Sequence, residues 1–320
     1  MTILLLDKET LGEGLDFSAL HSLGQVIDGG TIKTEEQFLA LLQDPAVKKA
    51  EILLCSKAPV TKKVLDAFED LRYVGVFATG YNNVDLDALK DKGAALCNVP
   101  DYSSTAVAQL VFTFLLMAAG KTHLYTEEVQ DGRWITSPCF SMISHRTTEL
   151  QGKTLGILGY GSIGRQVAAL GRAFGMRVIV HTRTVREDPT ATFVSREELL
   201  KNSDYLSLNA PLTEKTADFI NAESLSMMKR DAVLINTARG GLVNEEDLAR
   251  ALTTGTIAFA CLDVLKKEPM DKDCPLYGVK NCLITPHIAW TPVETRGRLL
   301  KIAAENLRCF LEGRAQNRVI

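Results

Sequence analysis

The chain has 320 residues, 46% of them hydrophobic and 23% charged, and at roughly 150 residues per domain this length predicts about two domains. The composition excludes disordered, collagenous and low-complexity chains. Thirty-six basic residues stand against thirty-nine acidic ones, so no overall positive field draws the chain to nucleic acid or to an anionic membrane.

The sequence shows no signal for a membrane span or a secretory leader. The N-terminal run MTILLLDKET has no basic residue before its short apolar segment, so we expect a first strand there rather than a signal peptide. The longest apolar segment, 106–120, contains Gln109 and Thr113 and is shorter than the about 20 residues of a membrane span. Seven cysteines without a CxxC pair indicate a reducing compartment, and we expect a cytoplasmic protein.

Short runs rich in β-branched residues alternate with helical patterns in two series, which is typical of βα units around parallel sheets. In the first series, strands are predicted at 3–6, 25–27, 51–55, 73–77 and 94–99, with helices at 34–43, 60–69 and 84–92. Thr34 and Gln37 form a capping box at the first of these helices.

The second series follows a long apolar helix at about 103–120 and a polar, strand-poor stretch from 121 to 150. Its strands are predicted at 154–158, 177–180, 205–208, 232–236, 257–264 and 282–285, with helices at 162–174, 196–202, 221–229 and 244–253. A last helix at 293–312 has no strand to follow it, so we expect it to cover the first domain. Two segments would then cross between the domains, near residues 100 and 288.

The strongest local motif is Gly159-Tyr160-Gly161-Ser162-Ile163-Gly164, which follows a predicted strand and opens a predicted helix. Its glycines permit a tight turn, close approach of a pyrophosphate and close packing of the helix, whose first N–H groups face the phosphates. A glycine-rich turn alone is weak evidence, but strand, helix and next strand have the required order here. The motif therefore predicts a dinucleotide site.

The end of the strand 177–180 bears on the choice of cofactor, because an acid there would accept from the ribose 2′-hydroxyl of NAD. Thr182 and Arg183 stand there instead, and no carboxylate occurs before Glu187 and Asp188. Arg183 can pair with a 2′-phosphate through charge-assisted bonds, so NADP(H) is favoured. NAD(H) is the alternative if Arg183 is a solvated loop charge.

Three side chains at predicted strand ends suit the reduction of a 2-keto acid, which needs a cation for the carboxylate and a proton donor beside the carbonyl. Arg239, Glu268 and His287 each follow a strand of the second series. Histidine suits the donor role because its ordinary pKa lies near 6.5 and a neighbouring carboxylate favours the protonated ring. Each of the three taken alone is more typical of an ordinary loop residue than of a catalytic one, and no metal site is predicted.

These residues together resemble the D-isomer-specific 2-hydroxyacid dehydrogenase family over essentially the whole chain. The matching segments are 78–85, 98–100, 159–164, 236–240, 262–264, Glu268-Pro269 and 285–290. The resemblance implies an α/β fold of two Rossmann-like, doubly wound parallel-sheet domains. The substrate domain would be discontinuous, 1–100 and 288–320, and the dinucleotide-binding domain would be 101–287. It also implies a nicotinamide cofactor, a small 2-keto acid as substrate, and a homodimer made through the cofactor domain.

Residue by residue, the resemblance implies that Arg239 binds the substrate carboxylate and that His287 is the acid in reduction and the base in oxidation. Glu268 would be the partner that sets the pKa of the histidine. Backbone N–H groups near Thr79 and Gly80 would also bind the substrate carboxylate. The expected cofactor positions include the glycine motif and the two residues after the strand 177–180. They are Thr105, Gly159, Gly161, Ser162, Ile163, Gly164, Thr182, Arg183, Thr237, Ala238 and Asp263, the last of them near the nicotinamide amide.

Within the family, the segments GYNNVD (80–85) and HIAW (287–290) are most similar to bacterial glycerate dehydrogenases, also named hydroxypyruvate reductases. Hydroxypyruvate or D-glycerate is therefore the expected substrate, with glyoxylate, D-lactate and phosphoglycerate as alternatives. Formate dehydrogenases carry Gln where Glu268 stands, which argues against them. A non-catalytic dinucleotide-sensing protein is the alternative from another class, because fold alone does not exclude it. The segment 139–146 departs from the pattern of the family.

Overall fold

The computed structural model describes residues 1–185 and 188–320, and the chain divides into two compact units. Unit 1 comprises Met1–Ser103 and Trp290–Ile320, and unit 2 comprises Ser104–Ala289. Each unit is built around one parallel sheet flanked by helices, so the predicted fold class is confirmed.

Unit 1 contains a five-stranded parallel sheet of order β2-β1-β3-β4-β5. Its strands are β1 Thr2–Leu5, β2 Gln25–Asp28, β3 Ile52–Cys55, β4 Tyr73–Val76 and β5 Ala95–Cys97. Its helices are α1 Ser18–His21, α2 Glu35–Leu41, α3 Pro45–Lys48, α4 Lys62–Ala67, α5 Leu86–Asp91 and the last helix of the chain, α12 Val293–Leu311.

Strands β1, β3 and β4 of this sheet are buried on both faces, which explains why they are continuous apolar runs. Successive side chains of a strand point to opposite faces. Leu4 therefore packs in one core with Phe38 of α2, while Ile3 packs in the other with Leu299 of α12. The last helix therefore packs on the sheet of unit 1.

Unit 2 contains a seven-stranded parallel sheet of order β12-β11-β10-β9-β6-β7-β8. Its strands are β6 Thr154–Leu158, β7 Arg177–His181, β8 Thr192–Phe193, β9 Tyr205–Leu208, β10 Val233–Asn236, β11 Phe259–Leu262 and β12 Cys282–Ile284. Its helices are α6 Ser104–Gly120, α7 Thr122–Gln130, α8 Ser162–Ala173, α9 Arg196–Asn202, α10 Ala222–Met227 and α11 Glu245–Thr254.

The strand order of unit 2 reverses between β6 and β9, which are neighbours in the sheet. The chain first runs outward from β6 to β8, and then from β9 to β12 on the other side. Doubly wound sheets bind their ligands outside the carboxyl ends of the strands at such a reversal. The glycine motif follows β6 and therefore lies at this point.

The structure adds elements that the sequence patterns did not predict. The stretch 121–150 contains α7, whose mixed polar and apolar residues form a weak helical pattern. Strand β8 has two residues, and α1 and α3 have four each, too few for a periodic pattern. Within the described chain, no single helix is long and apolar enough to cross a membrane; α6 and α7 pass that test only as a pair, bent by 62°.

Candidate active site

The glycine motif of unit 2 has the close backbone approaches of a phosphate-binding turn. Gly159 has a φ of 88°, and a Cβ there would lie 2.8 Å from the Cα of Ala210. A Cβ on Gly164 would lie 2.2 Å from the carbonyl oxygen of Gly159, so α8 packs this closely on the turn only because Gly164 has no side chain. Gly161 caps α8, and a Cβ there would meet no atom within 4 Å. This side of the turn is open to a ligand, and the amino end of a helix favours an anion.

The start of α6 lies beside this turn. Ser104 donates a hydrogen bond from its hydroxyl to the hydroxyl oxygen of Ser162 at 3.1 Å. Thr105 follows on the exposed side of α6, and Ile163 is half-buried in the first turn of α8. The structure thus brings the predicted cofactor positions of α6 and α8 together.

In its described part, the loop after β7 carries a cation, Arg183, and a carboxylate, Asp188, that is already hydrogen-bonded. Thr182 is half-buried, while Arg183 is exposed and makes no hydrogen bond or ion pair with any residue of 1–185 or 188–320. Asp188 accepts hydrogen bonds from Thr190 at 2.6 Å and Tyr160 at 2.7 Å. These bonds, that of Thr190 first, lower the pKa of Asp188 to about 2. Glu187 lies outside the described residues.

Two buried oxygens at the carboxyl edge of the unit 2 sheet lack a hydrogen-bond partner within the described chain. They are Thr237 Oγ1, after β10, and Asn209 Oδ1, after β9. Buried polar atoms of this kind cost free energy unless a ligand or water satisfies them. Asn209 was not predicted, although its position directly after a buried strand was a usable signal. Together with the open side of the glycine turn, these atoms fit a polar dinucleotide.

Arg239 lies on a turn that the buried side chain of Asn236 holds. Asn236 Nδ2 donates to the carbonyl oxygen of Arg239 at 2.9 Å, and its Oδ1 accepts from the N–H of Ala238 at 3.0 Å. The guanidinium is exposed and donates to the carbonyl oxygen of Ala238 at 2.7 Å. It forms no ion pair with the described residues, so it keeps donors for a carboxylate.

His287 and Glu268 form a direct pair. His287 Nδ1 lies 2.7 Å from Glu268 Oε2, and Glu268 Oε1 accepts from the N–H of Leu265 at 3.0 Å. The carboxylate is thereby oriented, and the ring places its Nδ1 proton toward it. Both side chains are about one-third exposed, at 33% and 36%, so the remaining nitrogen of His287 is open to a ligand.

The loop that carries His287 is folded around the carboxylate of Asp263. Asp263 is 1% exposed and accepts from the hydroxyl of Thr285 at 2.5 Å and from the N–H groups of Ile288 at 2.8 Å and Ala289 at 2.9 Å. His287 has a φ of 56°, a left-handed conformation that a non-glycine residue adopts only when its surroundings impose it. Asp263 therefore holds this loop in place. Its predicted contact with the nicotinamide amide stays a prediction.

The three predicted catalytic residues follow three adjacent strands. Arg239 follows β10, Glu268 follows β11 and His287 follows β12, all at the carboxyl edge of the sheet. A Cβ on Gly240 would lie 1.9 Å from the carbonyl carbon of Leu265. The turn of Arg239 therefore packs directly on the loop that leads to Glu268.

Thr79 and Gly80 follow β4 at the carboxyl edge of unit 1. The Thr79 hydroxyl donates to the carbonyl oxygen of Val99 at 2.9 Å, and Asn98 Nδ2 donates to the carbonyl oxygen of Thr79 at 2.7 Å. These bonds hold the segment, while the N–H groups of Thr79 and Gly80 donate to no residue within the described ranges. They are available to an anion.

Comparison with known proteins places these features in one family. A family profile described as D-isomer specific 2-hydroxyacid dehydrogenase, NAD binding domain, matches residues 112–289. A hydroxypyruvate reductase of Blautia hydrogenotrophica is 37% identical over 99% of both chains. A glycerate dehydrogenase of Methylorubrum extorquens is 34% identical over 98% of both chains. The crystal structure of a Thermus thermophilus protein has a TM-score of 0.88 at 35% identity, over 100% of both chains.

The packing of the glycine turn predicts the effect of Gly164→Ala. The added Cβ would meet the Gly159 carbonyl oxygen at 2.2 Å, so the turn must shift. We expect at least a tenfold weaker dinucleotide affinity, about 1.4 kcal/mol, in a fluorescence titration. Gly297→Ala is the control, because Gly297 is also helical and its added Cβ would meet no atom within 4 Å. Equal dinucleotide affinity in both variants would contradict the account of the turn.

Proposed function

Since the chain belongs to the D-isomer-specific 2-hydroxyacid dehydrogenase family, we propose that it reduces hydroxypyruvate to D-glycerate with a nicotinamide cofactor. The observation that carries the proposal is the contact of 2.7 Å between His287 Nδ1 and Glu268 Oε2, on the sheet that bears the glycine turn. The names of two relatives, a hydroxypyruvate reductase and a glycerate dehydrogenase, support this choice of substrate. Glyoxylate, D-lactate and phosphoglycerate are the alternatives within the family.

In the proposed reduction, His287 is the proton donor to the carbonyl oxygen of the keto acid. The bound cofactor supplies the hydride for C2. Glu268 accepts a hydrogen bond from the Nδ1–H of His287, which fixes the orientation of the ring and leaves the Nε2 proton for the substrate. The negative charge of Glu268 stabilises the imidazolium before transfer. In the oxidation of D-glycerate, Nε2 of the neutral ring takes the hydroxyl proton.

Arg239 is the proposed ligand of the substrate carboxylate. The guanidinium presents parallel N–H donors that match both oxygens of a carboxylate. Its lack of an ion pair within the described ranges leaves this charge for the substrate. In unit 1, the N–H groups of Thr79 and Gly80 are proposed as donors to a substrate carboxylate. In unit 2, Asp263 keeps the loop of His287 in position.

Variants of the three proposed catalytic residues have different expected kinetics. His287→Gln removes the proton donor, and we expect kcat with hydroxypyruvate to fall about 10²- to 10⁴-fold. Glu268→Gln keeps a hydrogen-bond acceptor but loses the charge, so kcat falls by about tenfold or more. Arg239→Gln raises KM as well, by about ten- to a hundredfold, because the substrate carboxylate loses charge-assisted bonds.

His21→Gln is the matched control, since His21 is exposed on α1 of unit 1. It should keep the wild-type kcat and KM. Steady-state kinetics of the four purified variants provide the check. Wild-type kcat in His287→Gln would contradict the proposed mechanism.

NADP(H) is the proposed cofactor, with NAD(H) as the alternative. The support is Arg183 after β7, which forms no ion pair within residues 1–185 and 188–320, and the engagement of Asp188 by Tyr160 and Thr190. A cation at this position favours a 2′-phosphate, whereas an acid would favour a 2′-hydroxyl. If Arg183 is only a solvated charge, this argument fails and NAD(H) takes its place.

Arg183→Gln tests this choice. We expect the KM for NADPH to rise about tenfold and that for NADH to change less than about twofold, because only NADPH carries the 2′-phosphate. Arg230→Gln is the control, since Arg230 is exposed near the amino end of β10, at the opposite edge of the sheet. Parallel changes for both cofactors would refute the role of Arg183.

A homodimer made through unit 2 is the proposed assembly. Residues 131–146, which we term the arm, carry Ile135, Phe140 and Ile143 with exposures of 88%, 92% and 88%. The arm is tied to α7, because Glu128 accepts from Arg133 at 2.8 Å and also from Ser144. Apolar side chains held in ordered, exposed positions are typical of an interface, and a second copy of the chain is the proposed partner.

The double variant Phe140→Asp, Ile143→Asp tests the assembly. Burying two carboxylates in an apolar interface is unfavourable, so we expect sedimentation to show a dimer for the wild type and a monomer for the variant. Tyr277→Asp is the control, because Tyr277 is 73% exposed outside the arm and should leave the mass unchanged. A monomeric wild type, or a dimeric double variant, would contradict the proposal.

A reducing, cytoplasmic location is proposed from the cysteines. All seven are free, and the structure buries Cys55, Cys97, Cys261 and Cys309. Burial raises the pKa of Cys282 to about 12 and also raises those of Cys55 and Cys261, so these thiols stay protonated and unreactive. They act as small apolar core residues rather than as disulfide partners.

A further inference from the structure

The glycine motif of unit 2 holds the segment between β7 and β8 at two points. The N–H of Gly159 donates to the carbonyl oxygen of His181, the last residue of β7, at 2.8 Å. The hydroxyl of Tyr160 donates to Oδ2 of Asp188 at 2.7 Å. Two consecutive residues of one turn therefore bind two points of the same segment, and the second of these bonds is made by a side chain.

The side chain of Tyr160 is well ordered for this bond. It is 8% exposed, and its ring packs edge-on against Phe193 of β8, with the ring centroids 5.6 Å apart. In the sheet, β7 lies between β6, which precedes the turn, and β8. The binding of a pyrophosphate depends on the glycines of the motif and on backbone N–H groups, so it does not explain a tyrosine at this position.

The carboxylate of Asp188 accepts hydrogen bonds on both oxygens. Oδ1 accepts from the N–H of Thr190 at 2.9 Å and from its hydroxyl at 2.6 Å, while Oδ2 accepts from Tyr160. Arg172 of α8 donates to the carbonyl oxygen of Thr190 at 2.9 Å. Because the pKa of Asp188 is lowered to about 2, chiefly by the hydroxyl of Thr190, the carboxylate is charged at neutral pH. The bond from Tyr160 is therefore charge-assisted.

Arg183 lies in the chain between the two points that the motif holds. It is two residues after His181 and five residues before Asp188. Its own guanidinium is bonded to none of the residues 1–185 and 188–320, so contacts at the two ends are what restrict it. Fixing both ends of a segment reduces the number of its conformations, and less entropy is then lost when a ligand binds.

We propose that Tyr160 is a positioning residue whose hydroxyl, through Asp188, places Arg183 for the 2′-phosphate of NADP(H). The inference rests on the proposed cofactor. It connects the turn that would bind the pyrophosphate with the residue that would distinguish NADP(H) from NAD(H). Without the hydroxyl, Oδ2 of Asp188 loses its donor, and the segment that carries Arg183 is held at one point fewer.

The test measures nucleotide binding directly, by calorimetric titration of Tyr160→Phe with adenosine 2′,5′-bisphosphate and with adenosine 5′-monophosphate. The two probes differ only in the 2′-phosphate. We expect the wild type to prefer the bisphosphate, and the Kd of the variant for it to rise about five- to tenfold. The Kd for the monophosphate should change less than about twofold. In steady-state kinetics the KM for NADPH should rise rather than kcat fall.

Tyr205→Phe is the matched control. Tyr205 is 4% exposed at the start of β9, and its hydroxyl lies 3.0 Å from that of Thr148. This variant also loses the hydroxyl of a buried tyrosine of unit 2, but at the amino end of a strand. It should bind both nucleotides as the wild type does, and its thermal midpoint shows how much stability such a loss costs.

A double variant tests whether Tyr160 acts through Arg183. If it does, adding Tyr160→Phe to Arg183→Gln should not weaken the binding of the bisphosphate further. Multiplied losses in the double variant would overturn the proposal, as would unchanged affinity or equal losses for both nucleotides in Tyr160→Phe. These outcomes leave the proposed cofactor standing. A wild type without preference for the bisphosphate would instead overturn NADP(H) as the cofactor, and this inference with it.

Discussion

The buried carboxylate of Asp263 is the interaction on which the proposed chemistry of unit 2 depends. It accepts three hydrogen bonds from Thr285, Ile288 and Ala289, which keep His287 in a left-handed conformation. Asp263 is itself aligned with the turn of Arg239, because its N–H donates to the carbonyl oxygen of Asn236 at 2.9 Å. Burying a charge is costly, and the charge-assisted bonds offset that cost only while the loop is folded around it. The position of the proton donor is therefore coupled to the folding of the strand ends.

A buried carboxylate also holds a loop in unit 1. Asp7 follows its strand as Asp263 follows β11, is equally buried, and binds N–H groups of the loop after a neighbouring strand. In a parallel sheet the carboxyl ends of all strands meet at one edge, and each of the two carboxylates lies at such an edge. Loops that are far apart in sequence can then be held by one side chain. In unit 2 the proposed proton donor, His287, lies on the loop that is held.

The sequence predicted the sheets well, because strands buried on both faces are continuous apolar runs that local patterns reveal. It also predicted which strand ends bear the glycine turn, Arg239, Glu268 and His287. The contacts of Asp263 could not be predicted, since they join residues more than twenty positions apart and follow from the strand order. The sequence analysis also missed two smaller features. The side-chain oxygen of Asn209 is recognisable only from its burial in the fold. The helix α7, within 121–150, has a weak periodic pattern.

The central claim is that a stereospecific hydride transfer to a short 2-keto acid takes place on this fold. It is tested most directly by following the absorbance of NADPH and of NADH with hydroxypyruvate, glyoxylate, pyruvate and phenylpyruvate, and by determining the configuration of the product. The account predicts the fastest consumption with hydroxypyruvate and NADPH, with D-glycerate as the product. Dinucleotide binding without consumption in the presence of any of the four acids would contradict it and indicate a sensing protein instead.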